Sequence, residues 1–153
     1  MSADVHESAN ARLRDLDGRY TPKRRELIDL LVTAGQPLTV DEIHLLAPHL
    51  PQSSLYRNLA VLEETGIVRR FASHSGSARF ELAEDHTGHH HHLVCDACGA
   101  MTDVELPDAL EHQLNDAIIS LARQRGFEVA SHTVDILGRC EDCSKVPAPT
   151  TPR

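Results

Sequence analysis

Four cysteines in two matched pairs, Cys95-Asp-Ala-Cys98 and Cys140-Glu-Asp-Cys143, constrain this chain more than any other feature. A CxxC turn places two thiolates on one ion, and two such turns complete a tetrahedron. All four positions are then protein sulfur and none is left for an activated water, so a structural Zn2+ is expected. The 41 residues between Cys98 and Cys140 require helix and strand to fold between the two knuckles. Redox-active pairs are the competing reading, but neither pair sits at the start of an obvious helix after a strand, as a thioredoxin-like site would. Disulfides fit poorly. The first 18 residues are polar, without an apolar leader, and no run of about 18 apolar residues occurs. The expectation is a cytoplasmic chain with no membrane partner and reduced thiols.

The run His89-His90-His91-His92-Leu93-Val94 leads directly into Cys95. In an extended segment side chains alternate between faces, so His90 and His92 point one way and His89 and His91 the other. One strand then feeds two metal sites with two imidazoles each, and carboxylates complete shells suited to zinc, iron, nickel or copper. Candidate partners are Glu81 before the linker, Asp103 after Cys98, Glu111 near the start of a long helix, and His132 within a strand. The plain alternative is a solvated His-rich linker, and the adjoining CxxC weighs against it. His6, His44, His49 and His112 read as surface or packing residues, and His74 as hairpin polarity.

The rest of the chain divides around this segment. Residues 1–17 read as a weak amphipathic helix. Thr21-Pro22 opens a second helix with Leu27, Ile28, Leu30 and Leu31 buried and Gly35 as its stop. A third starts at Thr39, with Glu42 completing a capping box, Ile43 and Leu46 facing inward and Pro48 closing it. A fourth spans about 53–65, capped by Ser53, with Leu55, Leu59 and Leu62 at helical spacing. Strands over 67–71 and 79–82 flank a hairpin loop at 72–77. Three helices and a hairpin are the order of a winged helix, a DNA reader, with a ligand-free α+β domain as the alternative. After a linker at 83–88 come strands into Cys95, at 101–106 and at 128–137, around a helix at 107–125 burying Leu110, Leu114, Ala117, Ile118 and Leu121. That unit, 89–145, is thin and calls for metal and a partner chain. Residues 146–153 read as a disordered tail. The fold class expected is α+β: an N-terminal winged helix-turn-helix domain over 1–82, then a small α/β dimerisation domain with a four-cysteine zinc site.

Aromatic residues make up only 3% of the chain, with no Trp, so any core is aliphatic. The net charge of −8 is unevenly spread: residues 1–82 carry 10 Lys/Arg against 11 Asp/Glu, and residues 83–153 carry 5 against 12. DNA binding needs a local basic face rather than a basic chain, so the balanced first half remains compatible with it.

HHHHLVCDACG followed by SHTVDILGRCEDC resembles the ferric uptake regulator family. TPKRRELIDLL is similar to that family's opening helix, and SSLYRNLAVLEETGIVRRF to its recognition helix and following strand, so the resemblance covers about 12–143. It implies a homodimeric repressor, occasionally an activator, of metal-homeostasis genes, closed by divalent metal onto an AT-rich palindromic operator. By the resemblance Cys95, Cys98, Cys140 and Cys143 hold structural zinc. His89, His91, Glu111 and His132 form a site inside the dimerisation domain, and Glu81, His90, His92 and Asp103 the inter-domain sensing site. Ser53, Ser54, Tyr56 and Arg57 lie on the DNA-reading helix, and Arg19 enters the minor groove. The chain departs from the family twice. Reaching Glu111 needs one extra residue after Cys98, so Glu105 or Asp108 could substitute. Where the family often has a first-domain His, this chain has Gln36-Pro37-Leu38, with His44 a loose substitute. Without a spare cysteine the sensing shell is nitrogen and oxygen, open to Zn2+, Fe2+ or Mn2+, and the second half is closer to zinc-sensing relatives. A zinc-dependent enzyme is the second hypothesis, but no HExxH or HxE…PCxxC signature occurs and no small-molecule substrate is expected. A metal buffer or carrier is the third.

Overall fold

Capping chemistry sets where the first helices begin. The computed structural model describes residues 2–72 and 77–145. Helix α1 spans Ser2–Asp15. In α2 (Pro22–Ala34) the Thr21 hydroxyl accepts the Arg24 N–H, Pro22 occupies the first turn, and Gly35 closes the helix at φ 57°. Leu38–Thr39 form a short strand, β1, that the sequence did not reveal. Thr39 and Glu42 make the expected capping box of α3 (Val40–Leu46). The fourth helix, α4 (Gln52–Glu64), starts behind Pro51 with no side-chain cap, so Ser53 lies inside its first turn rather than capping it. β2 (Val68–Ala72) and β3 (Ala78–Leu82) pair antiparallel, and β3 is central in the order β1-β3-β2. Part of the loop between them, including His74, lies outside the described residues, as does the segment 146–153.

The first core joins Val5 and Ala9 of α1 to Leu27, Ile28, Ile43, Leu55, Leu59 and Leu62, closed by Phe80 and Leu82. Leu30 is only partly buried. Leu46 corrects the inward assignment: it is 57% exposed, because Ala47, one full turn after Ile43, takes the inner position at 1%. Leu59 is fully buried. Leu59→Ala is therefore expected to destabilise this domain by about 2–5 kcal/mol, read as a lowered denaturant midpoint; a loss of under about 1 kcal/mol would show that the core does not close on α4.

The second half is built differently. Residues 83–88, expected to be a bare linker, include a helical turn, α5 (Glu84–Thr87), strapped to the first domain by the Arg12–Asp85 and Arg69–Glu84 ion pairs. β4 (His91–Cys95) pairs antiparallel with β5 (Met101–Val104) and parallel with β6 (Asp135–Gly138). α6 (Asp108–Arg123) crosses between them, and α7 (Glu141–Ser144) carries the last cysteine. Two expectations fail here. The strand over 128–137 shortens to β6, which leaves His132 in a segment without ladder bonds. None of the five apolar residues of α6 expected to face inward is fully buried: Leu110 is 48% and Leu121 63% exposed in the single chain. Leu114, Ile118 and Ala122 are half-buried, and no residue of the helix is fully buried. No helix among the described residues is long and apolar enough to cross a membrane.

Candidate metal centres

The knuckle at Cys95 is a tight turn. Gly99 takes φ 73° and its N–H donates to the Cys95 carbonyl at 2.8 Å, while the Cys95 N–H donates to the Ala100 carbonyl at 2.8 Å. Parallel pairing of β4 with β6 brings Cys140 alongside, and the Cys140 N–H donates to Cys95 Sγ at 3.4 Å. The four sulfurs lie within 4.8 Å of one another and no cysteine is in a disulfide. Backbone N–H groups of Cys140 and Cys98 pull the Cys95 thiol down to about 6, and thiol contacts with Cys140 and Cys98 push Cys143 up to about 12. Crowded thiols without a cation divide in this way, because one ionises and its neighbours keep their protons. A divalent ion suits all four as thiolates.

The imidazoles separate between two faces as expected, although only His91 and His92 lie within β4 and His89 and His90 precede it. On one face, Nε2 of His89, His91 and His132 converge on Glu111, at 3.3 Å, 2.9 Å and 3.1 Å from its carboxylate oxygens. Glu111 thus occupies the place for which Glu105 and Asp108 were the alternatives. His89 Nδ1 donates to Glu84 at 3.2 Å, which leaves Nε2 free to bind a cation. The hydrogen bond from His91, aided by the surrounding imidazoles, holds Glu111 below the ordinary carboxylate range despite some desolvation.

On the opposite face Glu81, His90, His92 and Asp103 gather, again with one ligand atom each within 4.8 Å of the rest. Glu81 comes from β3 of the first domain and the other three from the second domain. His90 and His92 reach Glu81 Oε2 through Nε2 at 3.3 Å and 3.2 Å. His90 Nδ1 donates to the Gly88 carbonyl at 2.9 Å, so its Nε2 lone pair faces the cluster. Burial desolvates His92, but Glu81, Asp103 and Asp135 outweigh that and raise its pKa. Burial together with Glu81 raises Asp103, against the pull of His90 and His92. Among the described residues Glu81 Oε1 and Asp103 Oδ1 are buried with no hydrogen-bond partner, as are Glu111 Oε1 and His132 Nε2 on the other face. Buried orphan acceptors facing shared centres are the donor sets a divalent cation requires.

The DNA-reading candidates lie together in the first domain. Tyr56 is 58% exposed, Arg57, Ser53 and Arg19 are exposed, and Ser54 is half-buried. Arg24 ties α2 to α4 through Asn58 at 3.2 Å and also donates to the Arg19 carbonyl.

Several contributors escaped sequence reasoning. Asp135 sits 3.4 Å from His92 Nδ1 because the β4–β6 register pairs those residues. Phe71 packs edge-on against His92 with ring centroids 4.9 Å apart. Gln36, singled out in the sequence only as standing where the family often has a His, lines an inter-domain cavity of about 220 Å3 together with Glu81, Asp103 and His86. His44 does not substitute at the site; its Nδ1 donates to the Leu50 carbonyl at 3.0 Å. Glu84 had a local signal, lying five residues before His89, whereas Asp135 had none.

The family model described as "Ferric uptake regulator family" matches residues 16–137. The chain is 30% identical over 149 residues to the peroxide operon regulator of Bacillus subtilis, covering 95% of this chain and 97% of that protein. It is 32% identical over 141 residues to the peroxide-responsive repressor of Staphylococcus aureus, covering 90% of each. Among solved structures it is similar to the Helicobacter pylori ferric uptake regulator, described as having three functional metal-binding sites. There the TM-score is 0.75 at 20% identity, over 97% of both chains, a likeness of fold. The Vibrio cholerae ferric uptake regulator is similar at TM-score 0.67 and 26% identity, covering 86% of this chain and 98% of that one.

Proposed function

Because the chain belongs to the ferric uptake regulator family, whose members are metal-dependent transcription regulators and not enzymes, we propose that it is a homodimeric repressor closed onto a palindromic operator by a divalent cation held by Glu81, His90, His92 and Asp103. The observation that carries this reading is the origin of the four ligands: one lies on the winged domain and three on the second domain. A cation there supplies positive charge that favours the closed arrangement over the open one. His90, oriented by Gly88, and His92, beside Asp135, hold their imidazoles toward Glu81 and Asp103. Closure fixes the direction in which α4 presents Tyr56 and Arg57, and only differential affinity for that arrangement can shift the equilibrium toward it. The four thiolates hold a permanent Zn2+, and the Glu111 cluster a further ion. The unburied apolar side of α6, with the exposed Ile136 and Leu137 of β6, supplies the dimer face.

The deciding experiment titrates Zn2+, Mn2+ and, anaerobically, Fe2+ against binding to duplexes selected from a random pool by the metal-loaded protein. DNA affinity is expected to rise about 5–150-fold with metal and to fall back with a chelator. Metal uptake with unchanged DNA affinity would instead identify a buffer or carrier. A second reading, peroxide response, is favoured by the relatives named for it. Its test is the same titration after hydrogen peroxide treatment. Loss of DNA binding with iron but not with manganese supports it, and equal retention rejects it.

A further inference from the structure

Arg79 and Glu81 lie two residues apart on β3, while Phe80 and Leu82 between and beyond them enter the apolar core. Strand alternation therefore puts the guanidinium and the candidate metal-binding carboxylate on one face, about 7 Å apart along the strand. Arg79 is buried, and its donors reach three separate elements. Nε donates to the Gly99 carbonyl of the cysteine knuckle at 2.6 Å. Nη1 donates to the Pro37 carbonyl just before β1 at 2.9 Å, and to Glu42 Oε2 at 2.9 Å. Glu42 is the residue that caps α3, accepting the Thr39 N–H at 2.7 Å, and α3 packs on α4.

We propose that Arg79 is a positioning residue that converts occupancy of the Glu81 site into a fixed orientation of the helix-turn-helix. The proposal rests on the metal-responsive reading above. A single point of attachment between two domains leaves them free to pivot; a second point fixes an axis. Glu81, with Phe71 packed on His92 beside it, is the first point, drawn toward His90, His92 and Asp103 when the domains close. Arg79 to Gly99 is the second, bridging the domains in the same docked arrangement. Gly99 lies between the zinc knuckle and β5, the strand that carries Asp103, so both points bear on one stretch of the second domain. On the first-domain side the same guanidinium grips Pro37 and Glu42, which seats the start of α3. A planar fork with five donors spans these acceptors at once, and an ammonium does not.

The test uses the full-length zinc-containing dimer, with Arg79→Lys and Arg79→Gln variants and Glu42→Gln as a comparison. DNA affinity is measured with and without Mn2+, zinc content by elemental analysis, and folding by circular dichroism. Arg79→Lys keeps a charge beside Glu42, is expected to fold and retain its zinc, and its own DNA affinity without Mn2+ serves as its baseline. Its gain on adding Mn2+ is expected to shrink at least tenfold, with a larger loss in Arg79→Gln. Glu42→Gln, which leaves the Gly99 contact in place, is expected to retain more of the gain than either Arg79 variant. A merely structural Arg79 would lower both affinities together and leave their ratio intact, and that result overturns the proposal. If Arg79→Gln does not fold, Arg79→Lys alone decides. If the parent protein itself shows no Mn2+ response, the metal-responsive reading fails first. If the parent responds and Arg79→Lys responds equally, only this inference fails.

Discussion

Cys95→Ser is expected to leave the second domain unfolded and the protein monomeric, with the winged domain still folded. The apolar core contains no residue beyond Leu82, and past Ala83 the only buried apolar side chains among the described residues are Val94, Cys95 and Met101. Three short strands and a helix with no fully buried residue have little independent means of offsetting the cost of ordering their backbone. On the proposed reading a zinc ion held by the four sulfurs supplies that stability, on the order of 10–16 kcal/mol for a structural site, and a partner's apolar face the remainder. Removing one thiolate leaves three, with Cys95 the one that ionises most readily, lowered to about 6 by the N–H groups of Cys140 and Cys98. Sizing chromatography, elemental analysis and far-ultraviolet circular dichroism read the outcome. A stable dimer of normal helix content without zinc would remove the structural role from the cysteine cluster.

The second large effect belongs to the opposite end of β4. Replacing His90 and His92 together by Ala is expected to leave a folded, zinc-containing dimer whose DNA affinity no longer changes with metal. Both rings are buried, and together they supply half of the donors in the cluster with Glu81 and Asp103. Without them two carboxylates face each other across the domain boundary, repelling rather than gripping. The whole metal-driven gain, about 5–150-fold, should vanish. His89→Ala, on the other face, should spare most of that response. A double variant that still gained DNA affinity on metal addition would place the sensing centre elsewhere, and the Glu111 cluster would be the next candidate.

Much of this molecule was legible from local chemistry. Thr21-Pro22, the Thr39–Glu42 box and the spacing of Leu55, Leu59 and Leu62 all act within a turn or two of chain, so the sequence alone settled where those helices lie. The partition of four histidines between two faces matched the two-residue period expected of an extended segment, although β4 itself begins only at His91, and the two CxxC turns followed from their spacing. What only the tertiary structure decided were the pairings between segments far apart in sequence. Asp135 reaches His92 because β6 runs parallel to β4 in one particular register. Arg79 meets Gly99 and Glu42 because β3 is the central strand of its sheet and faces the knuckle. Leu110 and Leu121 carry the helical period of a buried face yet remain exposed in one chain. Periodicity reports that a face is apolar, and only packing decides what covers it.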